Sequence, residues 1–125
     1  MSTQKQFENQ QFLTVETFRK NGQGVKTPVW FAEEDGTFYV WTGASSGKIK
    51  RARRNPDVRI APSKADGTPL GQWVAAKACS DDSPAAIDHI TKLMRKKYGL
   101  TFMLFHWLGL LRREKYTSLR IQAPG

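Results

Sequence analysis

The sequence of 125 residues is poor in cysteine and in acidic side chains: Cys79 stands alone, and 11 acidic residues face 20 lysines and arginines. A single cysteine excludes an internal disulfide and fits a reducing compartment, so we expect a cytoplasmic protein. The longest apolar run, residues 102–111, is about half the ~20 residues that a membrane-spanning helix needs. The first eleven residues are polar and contain no signal-peptide core.

The length and composition are those of one globular domain, residues 1–125, in which residues 1–10 form a flexible or helical N-terminal arm. A chain of this size buries roughly two thirds of its unfolded surface without needing disulfides or a structural metal. The net charge of +9 and the pI of about 10.0 indicate an anionic ligand or partner. A phosphate, an acidic cofactor tail, a nucleic acid and a lipid surface all have the required charge.

Short apolar segments recur between turn signals such as Asn21-Gly22, Asp35-Gly36 and Asp66-Gly67, which is typical of antiparallel β structure. We therefore predict a mainly β fold, a small antiparallel barrel with one or two helices packed on it. The predicted strands are 12–20, 25–33, 37–42, 58–62, 72–79 and 115–122, and the predicted helices are 48–54, 85–98 and 101–113.

A turn of small residues joins the third strand to a strongly basic helix, in which residues 48–54 contain five basic and no acidic side chains. Thr42, Ser45 and Ser46 offer hydroxyls, and glycines 43 and 47 allow the backbone amides to form a concave nest ahead of a helix start. These features predict a phosphate-binding site. The alternative is a solvated charged face, which a run of basic residues alone indicates equally well.

The nucleotide-binding P-loop does not fit this turn. That motif needs four residues between its glycines and a Ser or Thr after its lysine. Here three residues separate Gly43 from Gly47, and Ile49 follows Lys48.

The third strand is apolar on both faces, since Phe38 and Val40 alternate with Tyr39 and Trp41. A strand of this kind needs a second covering layer. Because the chain has few helices, we expect a partner subunit, a flat bound ring, or both to supply it. Pro28, in the middle of the second strand, is expected at a sheet edge or beside a bound group.

Three local patterns together resemble one family. They are residues 17–22 followed by 25–31, residues 39–43 followed by 47–56, and residues 95–99 with Arg112-Arg113. They are similar to the pyridoxamine 5'-phosphate oxidase-like split-barrel superfamily, and within it to small oxidoreductases that use the deazaflavin coenzyme F-420. The resemblance covers residues 12–122, and its most specific part is the Gly-Lys turn that ends in Arg-Arg-Asn-Pro.

The resemblance implies a six-stranded antiparallel split β-barrel that acts as a homodimer, with a flavin or deazaflavin in each of two interface sites. Some relatives have an arginine where Ser46 stands, which leaves open whether the cofactor is coenzyme F-420 or FMN. The residues that the resemblance assigns to the phosphate are Thr42, Ser46, Gly47 and Lys48, with Lys50 or Arg51 close by. The residues that it assigns to the ring are Lys26, Thr27, Pro28, Val29 and Trp30.

The function implied is hydride transfer from the reduced cofactor to an unsaturated small molecule. No side chain is identified as a catalytic acid. Lys26 either stabilises negative charge on the ring or substrate, or is a solvated strand lysine. A non-catalytic cofactor-binding protein and a nucleic-acid-binding module are the alternatives from other classes. Against the second, the charge is concentrated in one short helix and does not follow a groove.

Two further features have ordinary explanations. His89, His106 and Cys79 lie in separate predicted elements without ligand spacing, so no metal site is expected. The apolar segment 102–111, flanked by basic residues, is interpreted as a lid or dimer-packing helix in preference to a helix lying on an anionic membrane.

Overall fold

The computed structural model describes residues 3–111 and 115–124, so Arg112 and Arg113 lie outside the described residues. The chain begins with a short 3-10 helix, Thr3–Phe7, and three α-helices follow: α1 (Gly47–Arg54), α2 (Pro84–Tyr98) and α3 (Leu100–Leu111). The strands are β1 (Phe12–Phe18), β2 (Gly24–Trp30), β3 (Ala32–Glu34), β4 (Thr37–Gly43), β5 (Asp57–Ser63), β6 (Val74–Asp81) and β7 (Tyr116–Gln122).

The strands form one antiparallel sheet in the order β2-β1-β5-β6-β7-β4-β3. The two edge strands, β2 and β3, are consecutive in the chain and are joined by Phe31 alone. The sheet therefore curls until its two edges approach each other at this residue, which is the geometry of a split barrel. The predicted mainly β split-barrel fold is confirmed, and Pro28 lies in an edge strand as expected.

The structure has seven strands, so the prediction of six is wrong. The predicted strand 25–33 is divided at Phe31, whose side chain is 1% exposed. Its N–H donates to Tyr98 Oη at 3.0 Å, and its carbonyl accepts from Lys97 Nζ at 2.7 Å. Because α2 binds both backbone groups, Phe31 leaves the hydrogen-bond ladder, and the chain crosses there from one edge of the sheet to the other.

The core lies inside the curled sheet and is built by alternate residues of each strand. Phe7, from the 3-10 helix, packs against Phe38 with ring centroids 4.7 Å apart, and Ile49 of α1 is fully buried in the same cluster. The largest inward side chains of the strands are Leu13, Val15, Phe38, Val40, Ile60, Leu119 and Ile121.

The outer face of β4 is covered by the chain's own helices. Trp41 meets Phe102 of α3 edge-on at 4.9 Å, and Tyr39 meets the His89 ring of α2 at 5.1 Å. The chain's own helices therefore supply part of the cover that the sequence assigned to a partner subunit, a bound ring, or both, and Tyr39 and Trp41 remain half-buried. The homodimer stays a prediction. No helix within the described residues is long and apolar enough to cross a bilayer.

Local signals place the turns and helix ends correctly. Asp35 and Gly36 both have positive φ angles, 52° and 80°, as a tight hairpin between β3 and β4 requires. Ser83 caps α2 by accepting the Ala86 N–H at 3.2 Å. The basic helix α1 ends at Arg54, before Asn55 and the proline that follows it.

Replacement of Tyr98 by phenylalanine tests the closure at Phe31. Burial raises the pKa of Tyr98 to about 12, so its hydroxyl stays protonated and donates to Gln11 O at 2.7 Å while accepting the Phe31 N–H. Its loss leaves a backbone N–H without a partner, and we expect Tyr98→Phe to lower the free energy of unfolding by about 1–3 kcal/mol. Denaturant unfolding measures this. Tyr39→Phe is the control and should change it by less than about 0.5 kcal/mol; equal effects would contradict the assigned role.

Candidate functional site

The predicted phosphate-binding turn lies between β4 and α1, where a basic helix covers one end of the curled sheet. Ile49 and Ala52 face the core and anchor the helix. Ser46 occupies the N-cap position in extended conformation, but its hydroxyl makes no capping hydrogen bond. The Oγ atom of Ser46 is buried and has no hydrogen-bond partner among the described residues. The turn thus holds an unused buried hydroxyl beside the first amides of α1.

Lys48 extends from α1 into the end of the barrel. Its Nζ donates to Thr42 Oγ1 at 2.9 Å, and Thr42 is 7% exposed. Thr117 of β7 lies opposite Thr42 in the sheet register and is fully buried. The Thr117 hydroxyl has no hydrogen-bond partner within the part of the chain that the structure describes. A lysine and two threonine hydroxyls therefore lie together behind the turn.

Arg51 lies one helical turn beyond Lys48. Its Nε donates to Thr17 Oγ1 on β1 at 2.7 Å. Its guanidinium also lies against Gly47, where an added Cβ would be 2.7 Å from Nη1. A side chain at position 47 would therefore shift the Arg51 guanidinium from this position. We call Thr17, Thr42, Thr117, Lys48 and Arg51 the α1 cluster.

The α1 cluster has excess positive charge. Burial, and then the neighbouring Arg51, lower the pKa of Lys48. Burial, and then Arg19 and Arg54, lower the pKa of Arg51. Among the described residues no carboxylate forms an ion pair with Lys48, Arg51, Arg19 or Arg54. The carboxylate of Glu16, on β1, pairs with Arg59 at 3.2 Å. A bound anion would compensate for the desolvation of these cations and reduce their mutual repulsion.

Four residues in or next to the α1 cluster were not assigned to the site from the sequence: Thr17, Thr117, Arg19 and Arg54. The two threonines carry a detectable signal, because each lies at the end of an inward-facing apolar series. On β1 the series is Leu13, Val15, Thr17, and on β7 it is Thr117, Leu119, Ile121. Arg19 comes close to Arg51 only in the folded chain. Arg54 follows Arg51 by one helical turn, so the predicted helix 48–54 already placed the two side by side, and Arg54 Nη2 also donates to the Phe18 carbonyl at 3.0 Å.

The predicted phosphate residues divide into two groups. Thr42, Ser46, Gly47, Lys48 and Arg51 come together at the turn. Lys50 is exposed and lies on the solvent face of α1, at helical spacing from Arg53 and Arg54. It is therefore not a member of the α1 cluster.

The predicted ring residues alternate between the two faces of β2. Thr27 and Val29 pair with Val15 and Leu13 and so share the inward face of the sheet. The other three, Lys26, Pro28 and Trp30, lie on the outward face. A flat ring on one face of β2 would therefore meet two or three of these side chains, and not all five.

Aromatic contacts hold two of the outward-facing residues of β2. The amine of Lys26 lies 5.1 Å from the centroid of the Trp73 ring, and Arg59 lies 5.2 Å from the same ring. Trp30 stacks on Tyr98 with centroids 4.8 Å apart. Lys26 is thus held at the surface by a cation–π contact.

Among the described side chains, His89 and Cys79 have separate partners. His89 lies 2.8 Å from Glu34, and Cys79 is exposed near Arg120. The side chains of His106 and Trp107 lie outside the described residues. No group of three metal-ligating side chains occurs in the part of the chain that was searched.

No protein-family model matches the sequence, and no curated protein sequence matches it either. Solved structures do match. The heme storage protein HutZ from Vibrio cholerae is 13% identical with a TM-score of 0.73, covering 98% of this chain and 87% of the other. A conserved hypothetical protein from Mycobacterium tuberculosis is 22% identical with a TM-score of 0.72, covering 100% and 82%. An F-420 reductase is 12% identical with a TM-score of 0.63, covering 100% and 95%. The chain has the pyridoxamine 5'-phosphate oxidase-like split-barrel fold.

Thr117→Val tests whether the unused hydroxyl belongs to an anion site. Removal of a buried hydroxyl without a partner should leave the free energy of unfolding unchanged or raise it by up to about 1 kcal/mol. Inorganic phosphate should raise the melting temperature of the wild type above its value in chloride at equal ionic strength, and less so in the variant. Thr117→Ser keeps the hydroxyl and should keep the phosphate effect. A wild-type phosphate effect in Thr117→Val would exclude this residue from the site.

Proposed function

We propose that the protein is an oxidoreductase that binds coenzyme F-420 or FMN and reduces an unsaturated small molecule. The observation that carries this proposal is the α1 cluster, in which two desolvated cations and buried hydroxyls converge without a carboxylate. One of the matched structures bears a name from this class, an F-420 reductase. At 12% identity this match supports the fold alone, and the site carries the proposed function.

The residues present fit a phosphate group. Lys48 and Arg51 supply positive charge, and the buried hydroxyls of Ser46 and Thr117 have unused hydrogen-bonding capacity. The amides at the start of α1 add donors at the positive end of the helix dipole. Gly47 leaves room for Arg51 beside these amides. In this proposal the α1 cluster holds the phosphate and fixes the position of the rest of the cofactor.

The ring of the cofactor is proposed to lie along β2. Thr17, which binds Arg51, is opposite Val25 in the β1–β2 register, so the first residues of β2 lie next to the α1 cluster. β2 is an edge strand, and six of its seven residues are only half-buried. One chain therefore provides one wall for the ring. We propose that a second copy provides the other, which makes the functional unit a homodimer.

When bound, the reduced cofactor supplies the hydride, and the protein supplies position and environment. The α1 cluster neutralises the phosphate, and the half-buried face of β2 excludes water from one side of the ring. The described part of the α1 cluster contains no carboxylic acid or histidine that could donate a proton to the substrate. The proton is therefore assigned to solvent or to a residue outside this cluster.

Lys48→Ala is the direct test of the phosphate assignment. Loss of a charge-assisted contact should weaken cofactor binding by about 1–3 kcal/mol. Fluorescence titration with coenzyme F-420 and with FMN measures the change. Lys64→Ala, in the exposed loop between β5 and β6, removes the same charge elsewhere and should leave both affinities unchanged. If Lys48→Ala binds both cofactors as the wild type does, the phosphate does not lie at α1.

Lys50 distinguishes the two cofactors. Coenzyme F-420 has an acidic glutamyl tail that FMN lacks, and the solvent face of α1 carries Lys50, Arg53 and Arg54. If the cofactor is coenzyme F-420, Lys50→Ala with Arg53→Ala should weaken its binding at low salt while binding of FMN is unaffected. Tighter binding of FMN by the wild type, with no effect of the double variant on either ligand, would assign FMN instead.

The two alternatives from other classes predict different results. A cofactor-binding protein without turnover would bind either cofactor but fail to oxidise the reduced form with any of a panel of quinones and conjugated enones. A nucleic-acid-binding module would bind DNA or RNA with steep salt dependence and would have no affinity for either cofactor.

A further inference from the structure

Helix α3 presents a strip of exposed leucines that the fold does not use. Leu100 is 87% exposed, Leu104 is 62% exposed and Leu108 is 40% exposed. They are spaced four residues apart, so they lie along one side of the helix. Large apolar side chains exposed in a continuous row, and not scattered singly, indicate an interaction surface.

The opposite side of α3 attaches it to the rest of the protein. Phe102 is fully buried in a cluster with Ile90 and Met94 and meets the Trp41 ring at 4.9 Å. At 100° per residue, Phe102 points well away from Leu100 and Leu104. The leucine strip, defined as Leu100, Leu104 and Leu108, is therefore directed away from the core by the contact that holds α3 in place.

The leucine strip lies in a basic, acid-free part of the chain. Residues 89–113 contain six lysines and arginines and no aspartate or glutamate. Arg95 and Lys96 are exposed at the end of α2, within five residues of Leu100, and Lys115 is exposed at the start of β7. α3 itself has no charged residue between Leu100 and Leu111, so the basic residues near the leucine strip come from α2 and β7. An apolar row accompanied by basic residues matches the two layers of an anionic lipid surface, hydrocarbon below and negative headgroups above.

We propose that α3 binds the surface of an anionic membrane, in place of the lid or dimer-packing role that the sequence favoured, with the leucine strip in the acyl boundary and Arg95 and Lys96 among the headgroups. The protein binds peripherally, because α3 spans only about 18 Å and lies on the surface of the sheet. This property is separate from the proposed cofactor site, since the leucine strip and the α1 cluster lie on different helices that cover different parts of the sheet.

A second copy of the chain fits the leucine strip less well than a membrane does. The strip is about 12 Å long and about 10 Å wide, so by itself it is far smaller than the roughly 800 Å² that each partner buries in a stable interface. Two copies meeting through α3 would also bring the exposed Arg95 and Lys96 of one copy towards those of the other. A lipid surface needs no shape complementarity and supplies the missing negative charge.

Vesicle flotation of the full chain tests the proposal. We expect binding to phosphatidylcholine vesicles that contain 30% phosphatidylglycerol and at least tenfold weaker binding to pure phosphatidylcholine. Leu100→Ser with Leu104→Ser should weaken binding to the anionic vesicles at least tenfold. Leu70→Ser is the matched control, because Leu70 is 51% exposed on the loop between β5 and β6. Retained melting temperature and cofactor affinity would show that the variants are folded.

The charge requirement has its own pair of variants. Arg95→Gln with Lys96→Gln should weaken binding to the anionic vesicles several-fold, whereas Lys5→Gln with Lys64→Gln, equal in charge change, should not. Absence of vesicle binding at low salt would overturn the proposal, as would equal losses in the leucine variant and its control. A change in solution mass in the leucine variant, without vesicle binding by the wild type, would assign the strip to a second copy instead.

Discussion

The hydrogen bonds to the backbone of Phe31 are the constraint on which the rest of the structure depends. In this curled sheet of seven strands the chain passes from one edge, β2, to the other, β3, and at that point the backbone polar groups leave the hydrogen-bond ladder. Buried amides and carbonyls without partners are costly, so partners must come from elsewhere. Tyr98 and Lys97 supply them from the end of α2. Fixing α2 at this corner also fixes α3, which begins directly after it.

This closure gives the barrel an inside whose layers are set by strand register. Apolar side chains fill most of the interior. At the end that α1 covers, a buried threonine lies near the end of each of three strands, β1, β4 and β7. There Thr17, Thr42 and Thr117 are placed where Lys48 and Arg51 reach them. The site is formed because helix α1 packs Ile49 and Ala52 into the barrel end, which brings two cations into a partly desolvated position. Repulsion between these cations is a cost to the free protein and a source of affinity for an anion.

Much of the fold could be predicted from local chemistry. Positive-φ turn residues such as Gly36, and Asn55 before a proline, determined where strands and helices end, because their backbone preferences do not depend on distant residues. The small-residue turn and the basic helix after it also identified the position of the candidate site. The division of one predicted strand at Phe31 was not predictable, since its cause is a tyrosine hydroxyl 67 residues away in the chain.

The sequence by itself determined the order of the elements, the alternation that defines the core and the position of the basic helix, since these follow from short-range conformational preferences and side-chain periodicity. Only the tertiary structure decided which hydroxyls and arginines surround Lys48 and which face of each strand is covered by the chain's own helices. It also separated Lys50 from the α1 cluster. The physical reason is the same in each case: burial and hydrogen-bond partners depend on contacts between residues that are distant in sequence.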